Sequence, residues 1–350
     1  MSSTRQELHL ELEQQRKQVD VENYDLTLGE LFRMAQTKEL IRAPEYQRKF
    51  RWSAGDESYL VESLFLGLPV PSIFVASNPD GTWEVVDGLQ RISTLIHFMS
   101  ETPDLLIELP RDAPLRLERL QKLPSFNGLT YAELPTPLKF HFNKRGLRVT
   151  ALSDKSDPEI RFEVFERLNR GGVTLTPQEV RACIYRGPFS DLLRELSADP
   201  IFVRLVKLQS VHQDDGTREE LVLKFFAYLE DGQRYDGNVT GFLNRFMKEN
   251  ARTFDVAAGR VFFRRVINRL VELTNGPVLR SGYGLTPLNQ MEAILVGAGK
   301  LLREDRPIVS PRQDWLNDRA LVKSSTKGTN TRSAFRSRNQ RAEELLSGIN

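Results

Sequence analysis

The chain has 350 residues, 40% hydrophobic and 27% charged, with a formal net charge of +2. That length and composition suit a globular protein of about two domains. No apolar run approaches membrane-spanning length, and the polar start (Ser2, Thr4, Arg5, Gln6, Glu7) carries no secretory signal pattern. The single cysteine, Cys183, excludes an internal disulfide framework and fits a reducing, cytoplasmic setting. Four scattered histidines (His9, His97, His141, His212) give no zinc spacing.

Residues 3–20 are polar and helix-prone, an N-terminal extension over 1–23. Thr27-Leu28-Gly29-Glu30 fits a capping box and starts a helix with Leu28, Leu31 and Phe32 on its apolar face. Ile41 to Pro44 reads as extended. Ser53 to Gly67 reads as a helix, with Leu60, Val61, Leu64 and Phe65 as its buried stripe. Ile73, Phe74 and Val75 form a strand, Asn78-Pro79-Asp80-Gly81 a turn, and Thr82 to Val86 a returning strand. Short extended pieces follow at 105–109, 115–120 and 147–152. The predicted class is α+β: a small mixed sheet in a domain over 24–152, then an all-helical domain over 153–318.

Helix starts in the second half are marked by Asp157-Pro158 and by the capping box Thr176-Pro177-Gln178-Glu179. Further helical patterns occupy 190–196, 219–229, 239–249, 256–273 and 288–302. From Arg319 to Arg341 come seven basic residues (Arg319, Lys323, Lys327, Arg332, Arg336, Arg338, Arg341) and no acid, so the remainder of the chain is net negative. A basic tail over 319–350 is expected, a docking surface for DNA through Lys323, Lys327, Arg332, Arg336 and Arg338, or simply a solvated segment.

The most informative run is Asp87-Gly88-Leu89-Gln90-Arg91, between a strand and a helix. A strand-to-helix turn aims backbone N–H groups and a positive helix end at one point, where phosphate binds well. Gly88 allows close approach, Arg91 forks onto phosphate oxygens, Gln90 orients a water, and Asp87 holds a metal ion or takes a proton. Asp-Gly is also an ordinary turn. Gln47-Arg48, ahead of Phe50 and Trp52, echoes Gln90-Arg91, and Arg48 and Arg91 would converge on one anion if the two segments are neighbours. Arg167, Asn169 and Gly171-Gly172 read either as a helix C-cap or as contacts to the same pocket.

In their order, these clusters resemble the GmrS-like N-terminal domain family of bacterial modification-dependent restriction systems, with a ParB/sulfiredoxin-like fold and a DGQQR signature. The resemblance runs from about Tyr24 through Pro44-Glu45-Tyr46-Gln47-Arg48, Leu68-Pro69-Val70-Pro71 and Val86-Asp87-Gly88-Leu89-Gln90-Arg91. It continues through Phe165-Glu166-Arg167-Leu168-Asn169-Arg170-Gly171-Gly172, Leu175 to Arg181 and Arg218 to Phe225. It implies a component of an anti-phage or restriction defence system that binds and hydrolyses a nucleoside triphosphate with Mg²⁺ to control DNA recognition or cleavage. Asp87, Gln90 and Arg91 would be catalytic, with Asp87 on the metal. Gln47, Arg48, Gly88, Ser93 and Thr94 would bind nucleotide, Ser93 and Thr94 from the helix's first turn. Leu89 stands where the family's first glutamine would, and the histidine-poor C-terminal half shows no HNH pattern, so cleavage by that chemistry falls to a separate HNH-type nuclease subunit. A homo-oligomer is compatible with the sequence. A non-catalytic DNA-binding adaptor and a direct DNA nuclease remain open alternatives.

Overall fold

The computed structural model describes residues 20–42, 52–101, 106, 109, 111–153, 156, 158–168, 176–213, 215–312 and 314–348. By its contacts the chain divides into two compact units, Met1–Leu175 and Thr176–Asn350. Gln47, Arg48 and Asn169, and the helix expected over 3–20, lie outside the described residues.

Unit one holds a five-stranded mixed sheet in the order β1-β5-β3-β4-β2. The strands are β1 (Val21–Thr27), β2 (Leu40–Ile41), β3 (Ile73–Ser77), β4 (Trp83–Asp87) and β5 (Gly146–Leu152). β1 lies antiparallel to β5 and β3 parallel to it, while β4 is antiparallel to β3 and parallel to β2. Its helices are α1 (Leu28–Gln36), α2 (Ala54–Leu66), α3 (Leu89–Met99), α4 (Thr136–Asn143) and α5 (Pro158–Leu168). Ile73, Val75, Val85 and Val149 from the sheet pack with Val61, Ile92, Leu95 and Phe98 from the helices, all at most 1% exposed. Phe98 and Phe65 close on Phe142 of α4 at ring distances of 5.4 and 4.6 Å.

Local chemistry explains the helix ends. Ser53 and Asp56 make both bonds of a capping box, and α2 stops at Gly67 in the left-handed region, φ +74°. At α1 only half of the expected box forms. Thr27 accepts from the Glu30 N–H, but the Glu30 carboxylate turns to Arg33 at 2.7 Å.

The segment 115–120 is not a strand, contrary to the sequence expectation. Leu115, Leu117 and Leu120 are buried, which produces the strand-like alternation. Their N–H groups instead reach His97 O, Leu129 O and the Asn127 side chain, and Glu118 N–H reaches Ser58 Oγ. Residues 105–109 likewise contribute no strand among the described residues.

Unit two is helical: α6 (Pro177–Ile184), α7 (Pro188–Ser197), α8 (Pro200–Leu205), α9 (Thr217–Asp231), α10 (Val239–Asn250), α11 (Val256–Thr274), α12 (Leu288–Arg303), α13 (Arg319–Thr326) and α14 (Arg332–Leu346). Phe189, Phe202, Phe225, Phe226 and Phe263 fill its core. The expected basic tail is corrected here. Residues 319–346 fold as α13 and α14, and α14 packs Phe335, Ala342, Leu345 and Leu346 inward. Gly297 on α12 permits the close approach, since a Cβ there would sit 3.0 Å from the Glu343 nitrogen. No described helix is long and apolar enough to cross a membrane.

Candidate functional site

β4 is buried through Glu84, Val85 and Val86, and it surfaces at Asp87, whose side chain is 42% exposed. The chain then turns at Gly88 (φ +97°) and enters α3. A Cβ at Gly88 would lie 2.5 Å from Ile73 Cδ1 and 3.0 Å from Arg91 Nη2. The glycine is therefore required by the turn's backbone and by packing on β3, a reason independent of any ligand. Gly88 caps α3 without a side-chain bond. A glycine there supplies no side-chain cap at the helix end where an anion binds well.

Arg91 is the best-fixed element of the turn. Its Nη2 donates to Asp87 Oδ2 at 2.7 Å and to Ser72 O at 3.2 Å, and only 15% of the side chain is exposed. Its Nε is buried with no acceptor. A guanidinium donor left without an acceptor costs free energy, and a ligand oxygen would recover it.

The other predicted residues are placed differently from expectation. Gln90 Oε1 accepts the Trp52 N–H at 3.2 Å, so this oxygen braces main chain rather than a water. Ser93 and Thr94 are 2% and 0% exposed and lie in the second turn of α3, which corrects their expected contact with a ligand from the first turn. Leu89 packs against the unit's core. Arg167 is exposed on α5 and pairs with Glu163 one turn away. Among the described residues no group of three or more His, Cys, Asp or Glu side chains forms a metal cage.

A buried polar cluster behind the turn was not anticipated. Glu57 is fully buried on α2; His97 Nδ1 donates to its Oε2 at 2.6 Å and Arg111 Nη2 to its Oε1 at 3.2 Å. His97 Nε2 faces Ala113 O at 2.8 Å, and Arg111 Nη2 also reaches Trp52 O at 2.6 Å. The sequence did contain a signal: Glu57 precedes Leu60, Val61 and Leu64 at helical spacing, which places a carboxylate on the apolar stripe.

In unit two, Arg319, Lys323, Lys327, Arg332 and Arg336 are exposed, and none forms an ion pair among the described residues. Several other arginines of the unit are paired, as Arg260 with Glu195, Arg303 with Glu230 and Arg341 with Asp318. Arg338 is a correction to the expected DNA contacts. It is 1% exposed, with Nη2 3.4 Å from Glu292 Oε2, so its charge is spent inside the fold.

The mixed sheet, the strand-to-helix turn and the arginine held within it define an α+β domain whose candidate site is that turn. Residues 28–186 match the family described as GmrSD restriction endonuclease, N-terminal domain. Over this region the chain carries a domain that matches that family, which indicates a restriction-system component. No curated protein and no solved structure matches the chain.

Proposed function

We propose that the turn at 87–91 binds the phosphates of a nucleoside triphosphate, and that its occupancy or hydrolysis controls DNA recognition or cleavage by the restriction system. The observation that carries this reading is Arg91, held at the uncapped start of α3 with a buried Nε that lacks an acceptor. Asp87 supplies one carboxylate, which fits Mg²⁺ because that ion completes its shell with water and substrate phosphates. When bound, Mg²⁺ would neutralise phosphate charge. Asp87 and Arg91 now neutralise each other. An anion taking Arg91 strands the carboxylate, and a cation on Asp87 frees the guanidinium. Nucleotide and Mg²⁺ therefore bind cooperatively. Arg48 and Gln47 would form the opposite wall. With Leu89 in place of the signature's first amide, hydrolysis is expected to be slow relative to binding.

The test is a panel of nucleoside triphosphates with and without Mg²⁺, scoring affinity and phosphate release. Wild type is expected to bind at least one nucleotide about tenfold more tightly with Mg²⁺. Arg91→Ala should lose the equivalent of about 1.5–3 kcal/mol of binding, the range for a hydrogen bond to a charged group. Identical behaviour of wild type and variant with every nucleotide rejects the site.

DNA is proposed to meet the five unpaired cations at 319–336. If all five contact phosphate, the slope of log K against log salt is about −4.5. Arg332→Glu/Arg336→Glu should make it shallower by about 2. An unchanged slope would move the DNA contact elsewhere. A separate HNH-type subunit would cut.

A further inference from the structure

Side chains from two separate stretches of unit one hold the main chain of Trp52. From one side, Trp52 N–H is held by Gln90 Oε1 of the signature turn at 3.2 Å. From the other, Trp52 C=O accepts from Arg111 at 2.6 Å. Arg111 is in turn held by the carboxylate of Glu57, and that carboxylate's second oxygen is held by His97. His97 is 4% exposed, and both its ring nitrogens face oxygen acceptors, Glu57 and Ala113 O. An imidazolium satisfies that arrangement by donating twice. The cluster is costly to bury, because Glu57 has left water completely. Packing alone does not account for it: an apolar trio of the same volume would fill this space without desolvating a carboxylate.

We propose that Glu57, His97 and Arg111 form a positioning unit for the signature turn. They clamp Trp52, and Trp52 fixes the carboxamide of Gln90 and the point at which the chain emerges from residues 43–51. The consequence for binding rests on the nucleotide reading above; the clamp itself does not. Arg111 is the handle for a test, since 28% of its side chain is exposed along an open cavity of about 720 Å³. Its loss therefore leaves no sealed void. Arg116 lines the same cavity but pairs with Glu133, away from Trp52, and provides the control.

The experiment compares full-length wild type, Arg111→Met, Arg111→Lys and Arg116→Met. Amide hydrogen exchange is read at Trp52 and along α3, with melting temperature and nucleotide affinity measured in parallel. Arg111→Met is expected to speed exchange at Trp52 by about tenfold or more, while the Phe98–Met99 end of α3 keeps its protection. Nucleotide affinity, measured well below the melting transition of each variant, should fall several-fold. Arg111→Lys should restore part of both effects, and Arg116→Met should cause neither. Unchanged exchange at Trp52 in Arg111→Met overturns the clamp. Faster exchange with wild-type nucleotide affinity overturns its link to the turn. If wild type binds no nucleotide, the functional reading falls, and the Trp52 exchange still decides the clamp.

Discussion

Replacing Gly88 with alanine is expected to destabilise unit one by about 2–5 kcal/mol, combining roughly 1–2 kcal/mol for a left-handed backbone at a residue with a Cβ and roughly 1–3 kcal/mol for overpacking. The backbone there has φ +97°, and the new methyl would meet Ile73 Cδ1 at 2.5 Å. Ile73 is fully buried in β3, which pairs on both sides with β4 and β5. Its terminal methyl can turn aside only by repacking a fully buried side chain. Where the core resists that rotation the turn shifts, and Arg91 with it, because its guanidinium is also 3.0 Å from the added carbon. Loss of stability and loss of anion binding should therefore appear together in the same variant. Urea unfolding measures the first. A change below about 0.5 kcal/mol, the range of an ordinary surface substitution, would mean that the turn is not as constrained as its geometry requires.

The second large effect is expected at Lys224. Its ammonium sits 2.9 Å from Glu220 and 2.7 Å from Glu292, on the buried side of α9. Arg181 pairs with Glu220 and Arg338 with Glu292, so three cations share two carboxylates within the helical core. Lys224→Met keeps the volume and removes the central charge. One-sided removal from a buried pair costs about 3–5 kcal/mol, and the retained arginines set the expectation near about 3 kcal/mol. Burial raises the Glu220 carboxyl, but Lys224 and Arg181 outweigh it and hold Glu220 well below the usual range. Burial lowers the Lys224 ammonium, and Glu292 and Glu220 reverse this, raising it above its usual value. The carboxylate's contribution is thus present above pH 4.5 and is lost as the pH falls toward its folded value. The ammonium's contribution is present below pH 10.5 and is lost as the pH rises beyond it. Wild-type stability should form a plateau between these limits. Lys224→Met should flatten the acid limb of that curve; an unaltered acid limb would contradict the shared network.

Much of this architecture was legible because period and caps agreed. Ser53 with Asp56 marked the start of α2, Asn78 to Gly81 marked the hairpin, and Thr176 with Glu179 marked α6. The strands and the helix flanking the signature turn fell where the apolar pattern placed them. β1 escaped because both its faces carry polar residues and none of its side chains is buried. Its place is set by pairing with β5, a long-range contact that leaves no local pattern. α14 escaped for the opposite reason. Its buried face includes Arg338 and Asn339, so a packed helix reads as a basic tail. At the site, the residue types of the turn were legible, whereas their partners were not. Asp87 on Arg91 follows from helical spacing, but Ser72 O, Trp52 and the Glu57–His97–Arg111 cluster are brought in by the fold.

The most direct measurement is a crystal structure of the full chain with Mg²⁺ and a non-hydrolysable nucleoside triphosphate. Phosphate oxygens are expected within hydrogen-bond distance of Arg91 and the first N–H groups of α3, with Asp87 released from Arg91 and turned to the metal. A nucleotide bound elsewhere, with the Asp87–Arg91 pair still closed, would contradict the assignment of this turn as the anion site.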